Sequence, residues 1–352
     1  MRLGANLVYQ GAGKLAQEAE RLGYDLVLAA EGYRADAPSV LGLVAGQTER
    51  IGLASGIMQI PARPPGTAAL TAATLDSLSG GRFRLGLGVS NPHVSDGWYG
   101  VRFDNPLART REYVEIVRKA MQGGPVRYAG DHFALPAWGK EDAPLHLFTE
   151  RPSTQIPLYL AGVGPKSLQL AGELADGWLS GFTTPEHVAK SIGQIRIGRD
   201  RAGLDLTGFE VVPFVAMQVA EDGADIASAT DALRGHYLFL LGVGDPADNF
   251  YCGLARTMGF EQEIAEFREH LMSGDRRGAA AAIPLEFIDR TALIGPLGRI
   301  AERMQAFAEA GVTVLSIMVS ANDTTLDGRL HILRKAAEAL EMSGVADDST
   351  VP

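Results

Sequence analysis

Residues 80–93, Gly-Gly-Arg-Phe-Arg-Leu-Gly-Leu-Gly-Val-Ser-Asn-Pro-His, set Ser90, Asn91 and His93 just beyond an apolar run carrying Gly86 and Gly88. Positions without side chains at the end of a buried strand admit another backbone or a flat ligand at close range. A hydroxyl, a carboxamide and an imidazole at that carboxyl end stand where α/β folds bind ligands. A tight barrel corner followed by a polar loop would read the same way. A second cluster, Leu-Tyr-Leu-Ala-Gly-Val-Gly-Pro-Lys-Ser at 158–167, reads as strand, glycine turn and a helix with Pro165 in its first turn. Unbonded N–H groups at such a helix start, with the dipole behind them, favour an anion. Lys166 and Ser167 add a charge and a hydroxyl there. A third glycine, Gly56, ends the run 51–58 and marks a bulge or a close backbone approach.

These loops need strands and helices to hold them, and the two alternate along most of the chain. Apolar strand-like runs fall at 3–8, 25–30, 51–58, 83–89, 156–161, 177–179, 209–219 and 312–319, separated by helical patterns. Short apolar runs without polar alternation are covered on both faces, as in parallel sheets. Eight strands, each followed by a helix, predict an α/β fold of the (β/α)8 TIM barrel type, formed as a single domain over 1–352. Two stretches break the rhythm. Residues 124–155 contain a hairpin pattern turning at Gly130-Asp131, and 222–294 read as a helical insertion between strands seven and eight, lying over the ligand face.

The first unit also carries a decoy. Gly11-Ala12-Gly13-Lys14-Leu15-Ala16 fits G-x-G-x-x-A, and Glu31 follows at the end of the second strand, as in a dinucleotide-binding fold. Yet residues 7–10 carry the chain beyond the first strand before Gly11 appears, and eight strands suit a closed barrel better than an open sheet.

Composition narrows the function. With 46% hydrophobic and 21% charged residues the chain is of ordinary globular make-up, and a formal charge of -10 argues against nucleic acid or acidic membranes as partners. No apolar run is long enough to span a bilayer. A single cysteine, Cys252, excludes an internal disulfide framework, so a soluble, cytoplasmic protein is expected. His132, His236 and His270 lack metal-ligand spacing, and no metal is expected.

Taken together, several segments resemble the luciferase-like flavin oxidoreductases, especially the branch using the deazaflavin coenzyme F420. They are Gly-Ile-Met-Gln-Ile-Pro-Ala-Arg-Pro-Pro at 56–65, Ala-Thr-Leu-Asp-Ser-Leu-Ser-Gly-Gly-Arg-Phe at 73–83 and the 85–92 loop. Gly-Trp-Tyr-Gly at 97–100, the 160–165 turn, Ala-Gly-Glu-Leu-Ala-Asp-Gly-Trp at 171–178 and Ala-Gly-Val at 310–312 complete the set. The resemblance implies a non-prolyl cis peptide at Gly56-Ile57 that props the deazaflavin ring. It further implies that Ser90, Asn91 and His93 lie along the cofactor, and that Gly162, Val163, Gly164, Pro165 and Lys166 cradle its phosphate. Some F420-using relatives have an Asp-His pair at the end of strand two, where this chain has Glu31-Gly32. Glu31, Tyr33 and Asn6 are therefore the catalytic candidates, the first two for proton transfer and Asn6 as an orienting group. The implied activity is hydride transfer between C5 of F420 and a small organic substrate, in the direction of reducing a C=C or C=N bond. The family alternative is an FMN-dependent monooxygenase that uses O2 and a partner reductase. A homodimer is expected, with residues 91–105 at its interface.

Overall fold

Eight parallel strands close on themselves in the computed structural model, which describes residues 1–32, 35–137, 144–149, 155–220, 226–247, 249–319 and 325–347. They are β1 (Arg2–Leu7), β2 (Leu26–Ala29), β3 (Gly52–Ser55), β4 (Phe83–Gly88), β5 (Leu158–Ala161), β6 (Gly177–Gly181), β7 (Glu210–Val219) and β8 (Val314–Met318). Each pairs with the next, and β8 returns to β1 through Gly4 opposite Ser316 and Asn6 opposite Met318. Helices pack outside, so every strand is buried on both faces, which is why the strand sequences lack polar alternation. The interior is filled by residues such as Leu28, Ala54, Leu179, Val212 and Val314.

Ionic pairing closes the amino-terminal end of the barrel. Arg2 contacts Asp25 at 3.1 Å, Arg84 contacts Asp25 and Glu210 at 3.5 Å each, and Arg2 and the Tyr159 hydroxyl also bond Glu210. The opposite, carboxyl end remains open, and there β3 breaks off after Ser55. The chain rejoins the sheet as the two-residue strand Met58–Gln59, opposite Leu87 and Gly88 of β4. Gly56 and Ile57 bulge between the two pieces, and their peptide bond is cis.

The hairpin forms between Tyr128–Ala129 and Ala134–Leu135. Its turn is held by the Glu112 carboxylate, which accepts the N–H groups of Asp131, His132 and Phe133 at 2.9, 2.9 and 3.0 Å. The insertion runs as short helices from Ile226–Asp231 to Leu285–Thr291 around its own core, including Leu233, Tyr237, Phe267 and Phe287. Cys252 belongs to that core: it is buried, its thiol is pushed up to about 11 by burial, and it donates to the Leu241 carbonyl. One part of the helical expectation changes. The insertion ends in a strand, Ala292–Gly295, paired in parallel with Ala216–Val219 at the far end of β7. β7 outruns β6, whose pairing stops at Gly181 opposite Phe214, so its last N–H and C=O groups need another partner. None of the described helices is long and apolar enough to cross a membrane.

Candidate active site

A cavity of about 1950 Å³ occupies the open carboxyl end of the barrel, beneath the insertion. Asn6, Glu31, Gly56, Ile57, Ser90, Asn91, His93, Gly162 and Val163 all line it, gathered from the ends of β1 to β5. Gly164, Pro165 and Lys166 are exposed and lie outside the lining, and Tyr33 lies outside the described residues.

The floor of the cavity is an apolar shelf. Ile57 projects from the bulge across β4, so that a Cβ placed on Gly88 would lie 2.2 Å from Ile57 Cδ1 and 3.3 Å from Ala161 Cβ. Ile57, Ala161 and Phe214 are half-buried over the barrel core and leave one face to the cavity. Beside the shelf, Ser90 takes a left-handed backbone conformation, φ 65°, which turns the chain sharply off β4. A non-glycine residue in that region is uncommon and concentrates at functional sites. Asn91 caps the helix Pro92–Gly97, its Oδ1 accepting the Val94 N–H at 3.0 Å, which leaves its amide donors to the cavity.

At the end of β5 the turn Gly162–Gly164 is braced from both sides. The indole N–H of fully buried Trp178 donates to the Gly162 carbonyl at 2.7 Å. The Val163 N–H donates to Ser167 Oγ at 3.0 Å, and that hydroxyl donates to the Gly164 carbonyl at 2.9 Å. Val163, read from sequence as part of the phosphate cradle, thus has its amide engaged internally. Among the described residues, the first-turn N–H groups of Lys166 and Ser167 in the helix Pro165–Leu174 have no partner.

The candidate acid Glu31 is bonded through both carboxylate oxygens. Oε2 accepts the Gln59 N–H at 2.8 Å and Oε1 pairs with Arg63 Nη2. Asn6 differs: it is 5% exposed, lines the cavity, and its carboxamide has no hydrogen-bond partner among the described residues. Two further groups come from the insertion: Tyr251, which the sequence did not single out, and His236, which it marked only as lacking metal-ligand spacing. The Tyr251 ring packs on Phe182 at 4.8 Å, and its hydroxyl reaches 3.5 Å from where a Cβ on Gly181 would stand. That hydroxyl has no described hydrogen-bond partner, and burial raises its pKa, so it is protonated at neutral pH. His236 also stacks on Phe182, with rings 5.8 Å apart and 16° from parallel. No local pattern places either residue in the site, because each lies on a short helix whose partners are distant in sequence.

The dinucleotide-like glycines have other duties. Gly11, φ 77°, caps the helix Ala12–Arg21 in the left-handed region, and a Cβ on Gly13 would collide with Gln47 Oε1 at 1.6 Å. Arg82, Arg109 and Arg111 are engaged away from the cavity: Arg82 with backbone carbonyls including Ile51, Arg109 with Asp104, and Arg111 with Glu173. Among the described residues no group of three His, Cys, Asp or Glu side chains could hold a metal ion.

Known proteins resemble this chain over most of its length. A putative coenzyme F420-dependent oxidoreductase of Mycobacterium tuberculosis is 35% identical over 93% of this chain and 97% of its own length. The 5,10-methylenetetrahydromethanopterin reductase of Archaeoglobus fulgidus is 30% identical, over 84% and 85%. Among solved structures, the F420-dependent tetrahydromethanopterin reductase from Methanopyrus kandleri superposes with a TM-score of 0.77 at 22% identity, covering 98% of this chain and 97% of that one. An F420-dependent secondary alcohol dehydrogenase reaches the same TM-score at 20% identity, over 97% and 98%. The model of the luciferase-like monooxygenase family matches residues 2–314, and the chain belongs to that family.

Proposed function

We propose that the chain is an F420-dependent oxidoreductase that moves a hydride between C5 of the deazaflavin and a small organic substrate, reducing a C=C or C=N bond. The observation that carries this reading is the apolar Ile57–Ala161–Phe214 shelf at the base of an open cavity, with free helix N–H groups at one side. A flat ring fits the shelf, and a phosphate fits the N–H groups of Lys166 and Ser167. The Mycobacterium tuberculosis relative named for F420 supports the choice of deazaflavin over FMN.

Bound in its reduced form, F420 supplies a hydride from C5. The chain's own residues do the rest. Ile57 backs the ring, and the amide of Asn91 and the Ser90 hydroxyl lie beside the shelf. The Asn6 carboxamide orients the substrate's polar atom. Tyr251 holds a proton at Oη, and its raised pKa keeps that proton in place until a stronger base develops on the substrate. Ala232, Gly235 and Phe239 of the insertion complete the cavity wall.

Anaerobic oxidation of reduced F420 against a panel of enones and cyclic imines tests the reading. Substrate-dependent oxidation is expected, slowed by about 10²-fold in Tyr251→Phe. Oxygen uptake with reduced FMN, and no turnover with reduced F420, would replace it with the monooxygenase alternative.

A further inference from the structure

We infer that Glu31 is a positioning residue: with Arg63 it fixes the Ile57–Gln59 segment behind the cofactor ring, and it does not exchange the substrate's proton. The inference rests on the deazaflavin reading for what the segment supports, but its geometry stands independently.

Glu31 follows β2 and makes four bonds to the segment from Ile57 to Arg63 beyond β3. Its N–H donates to the Ile57 carbonyl at 3.0 Å, and its own carbonyl accepts Gln59 Nε2 at 3.0 Å. Its carboxylate takes the Gln59 N–H at 2.8 Å with one oxygen and Arg63 with the other. The side chains are 6% and 13% exposed, so the pair is shielded from water that could replace either partner. Arg63 is held in turn. Asp36, which caps the helix Ala37–Ala45, stands 3.6 Å from its guanidinium, and the buried Tyr113 hydroxyl donates to its carbonyl at 3.1 Å.

Protonation of either Glu31 oxygen would remove the charge that strengthens its bonds to Arg63 and the Gln59 amide, and both bonds hold the shelf's support. A charge-assisted pair with both oxygens bonded to the segment it braces suits rigidity, not acid–base exchange. The acidic residue at the end of β2 therefore does a different job here from the Asp-His pair of some relatives.

Hydrogen exchange over residues 56–63 of the ligand-free protein tests this together with F420 titration and the pH profile of turnover, in Glu31→Ala, Glu31→Gln and Arg63→Met. Loss of the carboxylate in Glu31→Ala is expected to speed exchange at residues 57–59 and weaken F420 binding, each about tenfold. Glu31→Gln keeps an oxygen for the Gln59 N–H, so it should recover most of the affinity and retain turnover with an unshifted pH profile. Unchanged exchange in the variants would overturn the inference. So would two Glu31 variants that bind F420 normally but are equally inactive, because that makes the carboxyl the acid. If Glu31→Ala does not fold, Glu31→Gln and Arg63→Met decide on exchange alone. Wild-type protein that failed to bind F420 would sink the cofactor assignment, while the exchange result would still judge Glu31.

Discussion

Gly88→Ala puts a methyl group where Ile57 now stands. The added Cβ would lie 2.2 Å from Ile57 Cδ1, and ordinary contact begins at 3.4 Å, so that methyl must retreat by about 1.2 Å. Gly88 does not need a left-handed backbone, so the substitution acts through space alone. The yielding atom is the tip of a side chain, and an off-rotamer Ile57 costs about 0.5–1.5 kcal/mol. Ala161, 3.3 Å away and rooted on β5, offers little relief. Stability should therefore fall by only about 1 kcal/mol, about one to two degrees in Tm for a chain of this length. The cofactor would suffer more, because the shelf under its ring is reshaped by about an ångström. Misplacement on that scale costs up to about 10²-fold in rate. The expected result is a small melting shift, F420 affinity weaker by about tenfold, and turnover slower by a larger factor. Gly66→Ala is the control, because a Cβ there meets nothing within 4 Å. If Gly88→Ala bound F420 as tightly as that control, Ile57 would not be the surface behind the ring.

Two further outcomes follow from the same contacts. Trp178→Phe removes the donor to the Gly162 carbonyl and leaves that buried oxygen unsatisfied, at about 1–3 kcal/mol. Binding of F420 should weaken more than binding of the same deazaflavin without its phosphate, whereas equal losses would separate the turn from the phosphate. Glu18 is held down at about 2, against an ordinary 4.5, chiefly by the Arg21 hydrogen bond and also by Arg334 of the last helix. The folded state thus gains stability from this carboxylate above pH 4.5, and loses it as pH falls toward 2. Glu18→Gln should lower Tm at pH 6 and converge with wild type near pH 2, and parallel curves across that window would contradict the assignment.

The barrel was legible because its strands are short apolar runs at regular intervals, and the glycine loops because Gly88 and Gly162 sit at strand ends. The final strand of the insertion was hidden. Ala292–Gly295 owes its form to the unpaired end of β7, which no local pattern announces. The role of Glu31 was equally illegible, because Arg63 is 32 positions away and meets it only once β2 and β3 lie side by side. Tyr251 shows the same limit. Its helix looks amphipathic in isolation, and only the packing on Phe182 turns the ring toward the cavity. Glycine patterns also mislead when read without the sheet. Gly11 and Gly13 match a nucleotide loop, yet they serve a helix cap and the close approach of Gln47.

The central claim is the identity of the cofactor, and a side-by-side titration of the purified protein with F420 and FMN, followed by tryptophan quenching, tests it most directly. Trp178 stands 2.7 Å from the Gly162 carbonyl, so occupation of that turn should be visible in its emission. Selective saturation by F420 at micromolar concentration, on the order of 8 kcal/mol of binding, is the predicted result. Selective saturation by FMN would contradict the account and direct the search to oxygen-dependent chemistry.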